Sequence, residues 1–209
     1  MSDARERRIG EVVGRVARQA LADYGRSRIA LLDDGGPEAE LAARMLARAL
    51  GDEAVVRVAE AEGEMDPLLH AAPPERVGEE TRRMRARLLD DALPAHPANK
   101  TALLLGGSLP PEPLLPLGDL WAGEVAALIG SWSASADVRA LAEAAGGVEV
   151  LDAALRRWID QREPAALASL PAEAAERVRR LFAAGSASRR NPRLVPKLGH
   201  RTLCVDLSE

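Results

Sequence analysis

Asp33, Asp34 and Glu38 lie close together around Gly35-Gly36-Pro37, with no Lys or Arg among them. Carboxylates at that spacing have two chemistries open to them. They can hold a divalent cation, which in turn holds phosphate oxygens. Equally, they can complement the positive end of a helix that starts just after them. Gly35 and Gly36 admit backbone conformations closed to other residues. The first N–H groups of a following helix then face whatever occupies the turn. A phosphate loop of the Walker type would add a Lys and a Ser or Thr, and this turn has neither. The backbone pattern suits an anion and the side chains oppose it.

Other reactive groups are scattered. His70, His96 and His200 fall far apart, and no nucleophilic triad suggests itself. Cys204 is the only cysteine and sits in an alternating apolar segment, so burial is its expected fate. A lone cysteine excludes intrachain disulfides and thiolate zinc clusters. Arg82, Arg83, Arg85 and Arg87 form a basic helix face, turned either to an anion or to water. A polyphosphate ligand would need cations, and Lys100, Arg189, Arg190 and Arg193 are the available ones. The 209 residues suit one domain, and a net charge of -4 with 47% hydrophobic residues predicts a soluble globular protein without a nucleic-acid partner. No apolar run approaches membrane length, and the opening SDARERR lacks the apolar stretch of a signal peptide, so a cytoplasmic protein without a membrane partner is expected. Aromatic residues are 2% of the chain, which leaves Ala, Leu and Val to fill the core.

The elements that must position these groups follow from periodicity. Arg5 to Tyr24 carries Ile9, Val12, Val13, Val16 and Ala20 on one stripe and predicts an amphipathic helix. Ile29 to Leu32 predicts a buried strand, Glu38 to Leu50 a helix, and Ala54 to Val58 a second strand, parallel to the first. Residues 59–80 predict a long acidic connection, and Glu79 to Ala92 a helix. Pro94, His96 and Pro97 predict a turn before a third buried strand, Thr101 to Gly107. The proline-rich insertion around 108–117 is predicted irregular, and Asp119 is predicted to cap a helix running to Ile129. Further helices are predicted over Ala136 to Ala145, Leu151 to Gln161 and Ala172 to Ala184, then a basic tail, 188–197, and a short edge strand, Arg201 to Leu207. Ligands of parallel α/β proteins bind beyond the carboxyl ends of the strands. The turn after Leu32 and the glycines after Leu105 are both predicted there, facing one crevice within reach of Lys100 and the tail.

Taken in order, these pieces resemble the ammonia-dependent NAD synthases, a branch of the ATP-pyrophosphatase group. Ile29 to Leu50 resembles that family's strand, SGGxDS pyrophosphate loop and helix. Arg82 to Ala92 resembles its arginine-rich "AR-R----LY--A" helix, and Thr101 to Gly107 stands where a strand leads into "GT-NK-E". Pro116-Leu117-Gly118-Asp119-Leu120-Trp121 resembles "P--DLYKT-V", Leu151-Asp152 resembles "-ID--L", and Ser188-Arg189-Arg190-Asn191-Pro192 resembles "HKR--P". The resemblance covers nearly the whole chain. It implies a three-layer Rossmann-like parallel sheet flanked by helices, of the adenine nucleotide alpha hydrolase-like kind, spanning 1–209 as a single domain.

It also implies a site. On the SGGxDS frame the chain reads Asp34-Gly35-Gly36-Pro37-Glu38-Ala39. Both glycines and one carboxylate persist, while both serines are gone. By the resemblance, Asp34, Gly35, Gly36, Pro37, Ala39, Lys100 and Gly106 would border the cofactor. Glu38 and Glu112 would hold magnesium, and Glu38 and Arg189 would serve catalysis. ATP and Mg2+ would be the cofactors of an active member. Its nicotinate carboxylate attacks the alpha phosphate, and ammonia then displaces AMP from the adenylate. The departures point instead to a degenerate member, weak or inactive in synthesis, that persists as a nucleotide- or dinucleotide-binding protein or as a dimer. The Lys of "DLYKT" is Ala122, and "GT-NK-E" is read as replaced by Gly106-Gly107-Ser108-Leu109-Pro110-Pro111-Glu112. Family members are homodimers, and the Ile9 to Val16 stripe with Trp121, Trp132 and Trp158 is the candidate pairing surface.

Overall fold

The computed structural model describes residues 2–59, 90–106, 112–185 and 194–198. The expected helix at Glu79 to Ala92, Arg189, and the edge strand at Arg201 to Leu207 lie outside them, apart from the last residues before Ala92. Helix α1 (Ser2–Tyr24) leads through Gly25 into strand β1 (Arg28–Asp33), and helix α2 (Pro37–Leu50) returns to strand β2 (Val55–Ala59). Strand β3 (Ala92–Ala95) pairs on the other side of β1, so the order is β2-β1-β3. Both pairings are parallel, with Ile29 opposite Val55 and Leu93. Single parallel bridges from Ala95 to Leu114 and from Leu114 to Leu194 carry the sheet outward. A central parallel strand is covered on both faces. Ile29, Ala30 and Leu31 accordingly have no exposed surface.

Helices α1 and α2 lie against one face. Ile9, Val13, Ala17 and Ala20 pack with Leu41, Met45 and Leu46 over Ile29 and Leu31. Of the stripe offered by the sequence for pairing, Ile9 and Val13 are thus buried within the chain, Val13 only 1% exposed, while Val12 and Val16 are half-buried. The two helices approach so closely at Gly14 that a Cβ there would lie 2.3 Å from that of Ala49.

Two expectations about the third strand are corrected. The strand is Ala92–Ala95, where Pro94 had predicted a turn. Residues two apart in a strand direct their N–H groups to the same side, and His96 donates to Leu114. The N–H that Pro94 lacks would therefore face away from β1, toward a segment that makes one bridge, so the ladder with β1 survives. The predicted strand Thr101 to Gly107 is instead helix α3 (Lys100–Leu105). Its start is fixed by Asn99, whose Oδ1 accepts the Ala102 N–H at 2.9 Å. A short run of buried leucines suits either structure, and the cap decides. Gly106 closes this helix, giving its N–H to Ala102. It does not end a strand.

The second half is helical: α4 (Ala122–Ile129), α5 (Ala136–Ala144), α6 (Val148–Leu155) and α7 (Ala172–Ala184), with a π-type turn at Arg156–Asp160. Leu103, Leu104, Leu141, Leu151, Leu155 and Val178 form its core, edged by a Trp158–Phe182 contact at 4.9 Å. Helix α4 begins later than predicted. Trp121 takes the cap position and Glu124 accepts its N–H at 3.0 Å. Asp119 is buried instead. None of the described helices is long and apolar enough to cross a membrane.

Candidate functional site at the carboxyl edge of the sheet

The buried run of β1 ends at Asp33, and Gly35, at φ +73°, turns the chain into α2. Asp33 Oδ1 accepts the N–H of Gly35 and Asp34 Oδ1 accepts the N–H of Gly36, each at 2.9 Å. These are Asx-type closures. They occupy two backbone donors of the turn, and Pro37, the next residue, has none. The other oxygen of Asp33 accepts from Arg57 Nε at 2.6 Å, and Arg57 continues to Glu40 at 2.8 Å. The hydrogen bond with Asp33 raises the guanidinium pKa and outweighs the lowering by lost hydration.

Glu38 enters the first turn of α2 and is 3% exposed. Asn99 Nδ2 donates to it at 2.8 Å, the Ser133 N–H donates to both oxygens at 2.9 Å, and the Ser133 hydroxyl donates to Oε2. Charge-assisted bonds of this kind compensate a buried carboxylate. The same contacts draw the loop after α4 over the turn. Ser133 Oγ lies 3.2 Å from where a Cβ on Gly36 would stand and Asp34 Oδ1 lies 2.9 Å away, so a side chain at Gly36 would have to displace both polar ends. Ala39 is buried behind the turn, whereas Asp34 and Gly35 are exposed.

Lys100 follows Asn99 and has different partners. Its Nζ is 3.3 Å from Asp119, 3.0 Å from Asp160 and 4.7 Å above the Trp121 ring, and its own N–H reaches the Leu120 carbonyl at 2.7 Å. Asp119 also accepts the Leu198 N–H at 2.6 Å. Next in the chain, Thr101 donates to Asp152 at 2.6 Å and accepts the Ala122 N–H at 3.0 Å. Asp152 takes the Gly123 N–H at 2.7 Å. Burial pushes the Asp152 carboxyl up to about 6 against those hydrogen bonds. Asn99, Lys100 and Thr101 therefore join the start of α2, the 117–121 segment and α6 in one buried polar network.

Asn99 and Lys100 directly follow the loop after β3. Glu112 is buried at 4% exposure, and among the described residues no three His, Cys, Asp or Glu side chains are grouped to hold a metal ion. With Glu38 committed to Asn99 and Ser133, the described carboxylates do not fit a magnesium site.

Beside Lys100 opens a cleft of about 520 Å3. Helix α1 runs back along the sheet from its junction with β1, which brings its N-terminal half to the carboxyl edge. Arg5 and Arg8 line the cleft from that helix, Arg156 from the π-type turn and Lys197 from the tail. Ile9, Val12, Leu120 and Trp121 supply its apolar surface. The structure thus gathers Asp34 to Ala39 in one turn and Lys100 beside a separate cleft, and leaves Gly106 on a helix end. Sequence reasoning missed Asn99, Ser133, Arg5, Arg8 and Arg156. Only Asn99 carried a local signal, as a cap residue before an apolar run.

No protein-family model matches the sequence, and no curated protein matches it. Among solved structures, the chain is similar to an NH3-dependent NAD synthetase from Campylobacter jejuni in complex with the nitrate ion. Identity is 16%, the match covers 90% of this chain and 97% of that one, and the TM-score is 0.63. At that identity the likeness establishes the fold: a parallel sheet flanked by helices, Rossmann-like and of the adenine nucleotide alpha hydrolase-like kind.

Proposed function

We propose that this chain is an NAD synthase-like protein that keeps the scaffold of the synthase site and does not synthesise NAD. One observation carries the reading: the turn that would receive pyrophosphate is closed by the carboxylates of Asp33 and Asp34 on its own N–H groups. Asp33 is paired with Arg57 and the nearby Ser133 hydroxyl is spent on Glu38, so the exposed Asp34 carboxylate is left to repel a polyphosphate, with no hydroxyl or lysine in the turn itself to offset it.

The residues matching the family's motifs divide by role in support. Asn99, Lys100, Asp119 and Asp152 join helices to one another inside the protein. With Asn99-Lys100 after β3 taken as the "NK" of "GT-NK-E", the positions that would touch nucleotide or metal carry Asp34, Ala39, Ala102 and Ala122. Selection for the fold without the reaction would leave this division. The magnesium role of Glu38 and Glu112 has no support from their surroundings; Arg189, outside the described residues, keeps its role only by the resemblance. Pairing into a homodimer also belongs to the reading, through a surface other than the Ile9 to Val16 stripe.

The test is release of AMP from ATP in the presence of deamido-NAD, ammonia and magnesium. No AMP above the rate without protein is expected. Turnover would establish an active ATP-dependent synthase and overturn the proposal.

A further inference from the structure

The cleft beside Lys100 has a charge balance unlike the rest of the molecule. The chain carries a net charge of -4, yet Arg5, Arg8, Lys100, Arg156 and Lys197 face Asp119, Glu124 and Asp160 across it. The three acids are already engaged. Lys100 pairs with both Asp119 and Asp160, and Glu124 is shared by Arg5 at 2.5 Å and Arg156 at 3.4 Å, which leaves the eight groups with a net charge of about +2 once Arg8 and Lys197 are counted. Among the described residues, Arg8 and Lys197 have no ion-pair partner. Cations around a concave wall of low polarisability focus a positive potential into it.

The cleft is also built to be occupied. Its volume of about 520 Å3 lies in the range of small-molecule sites. Ile9, Val12, Leu120 and Leu198 add apolar lining beside these cations. Arg156 is held 5.7 Å over the Trp121 ring, which fixes its planar fork rather than leaving it loose in water. The planar guanidinium fork pairs bidentately with two oxygens of a phosphate or a carboxylate. An ammonium at Lys197, from the tail, adds a point charge.

We infer that this cleft binds a small organic phosphate monoester, its phosphate between Arg8, Arg156 and Lys197 and its apolar body against Ile9, Val12 and Leu120. No residue of the Asp33 to Glu38 turn takes part. The inference therefore stands or falls separately from the loss of synthesis.

Calorimetric titration of the full chain with phenyl phosphate tests it, with inorganic phosphate and benzoate as comparisons. Phenyl phosphate is expected to bind in the micromolar-to-millimolar range, about tenfold more tightly than either comparison. Arg8→Ala with Lys197→Ala, both exposed and outside the core, should weaken it by at least about tenfold. Arg139→Ala with Arg180→Ala, exposed on α5 and α7 and outside the cleft, should leave it unchanged. Absence of binding, equal binding of benzoate, or binding that survives the Arg8 and Lys197 changes would overturn the inference.

Discussion

Asp34 accepts the N–H of Gly36 at 2.9 Å, from the position where the resembled family has a serine. The carboxylate sits where an incoming phosphate oxygen would compete for the same donor. A hydroxyl there would be neutral and able to donate. On the proposed reading, the turn keeps its shape and reverses its electrostatic preference.

Replacing Asp34 and Ala39 together by Ser should create measurable ATP affinity where the parent has none. Two unit charges about 4 Å apart at a protein surface interact by about 4 kcal/mol at most, so a gain of roughly ten- to several-hundredfold is expected. Fluorescence titration with an ATP analogue reads it. Unchanged affinity would assign the closure to Asp33 or to the Ser133 loop.

Glu38 holds Asn99 and Ser133 and so acts in stability. Glu38→Ala strands a buried Asn99 amide and the Ser133 N–H, and should cost roughly 2–4 kcal/mol in urea unfolding. Ser133→Ala leaves the backbone donor in place and should cost about 1 kcal/mol. Equal stability of Glu38→Ala and parent would free this carboxylate for another role.

Much of the fold was legible. The alternation of charge and small apolar residues located α1, α2 and α7, and the strand–turn–helix at Ile29 to Leu50 was read from periodicity and two glycines. The third strand was not, because Leu103 to Leu105 is as apolar as any buried strand and Pro94 argues locally against one. Asp119 has the residue type of a helix cap, and its use as the partner of a lysine 19 positions earlier is a tertiary fact. The cleft was illegible for the same reason. Arg5, Lys100, Arg156 and Lys197 come together only through the return of α1 to the carboxyl edge.

Asp152 makes stability depend on pH. Its folded carboxyl is raised to about 6 from 3.8, so the folded state favours the protonated form. Its contribution is fully present below the unfolded value and is lost as pH rises from about 4 through 6, by roughly 3 kcal/mol. Asp152→Asn should flatten that part of the profile relative to the parent. A parent-minus-variant difference that is constant across the window would contradict the burial of this charge.

The α1–α2 contact depends on Gly14. Alanine would ordinarily favour a helix interior by about 1 kcal/mol. Here its methyl would lie 2.3 Å from Ala49 and force two packed helices apart. Gly14→Ala should therefore lose about 1–3 kcal/mol in thermal or urea unfolding. A stabilised variant would show that the helices are not in contact at this point.

The central claim is that the turn after β1 no longer receives a triphosphate. Isothermal titration of the unmodified protein with ATP and magnesium measures it directly. No saturable binding at the turn is expected up to millimolar nucleotide. Saturable binding that Gly36→Val abolishes, with ATP seated on Gly35 and Gly36, would contradict it.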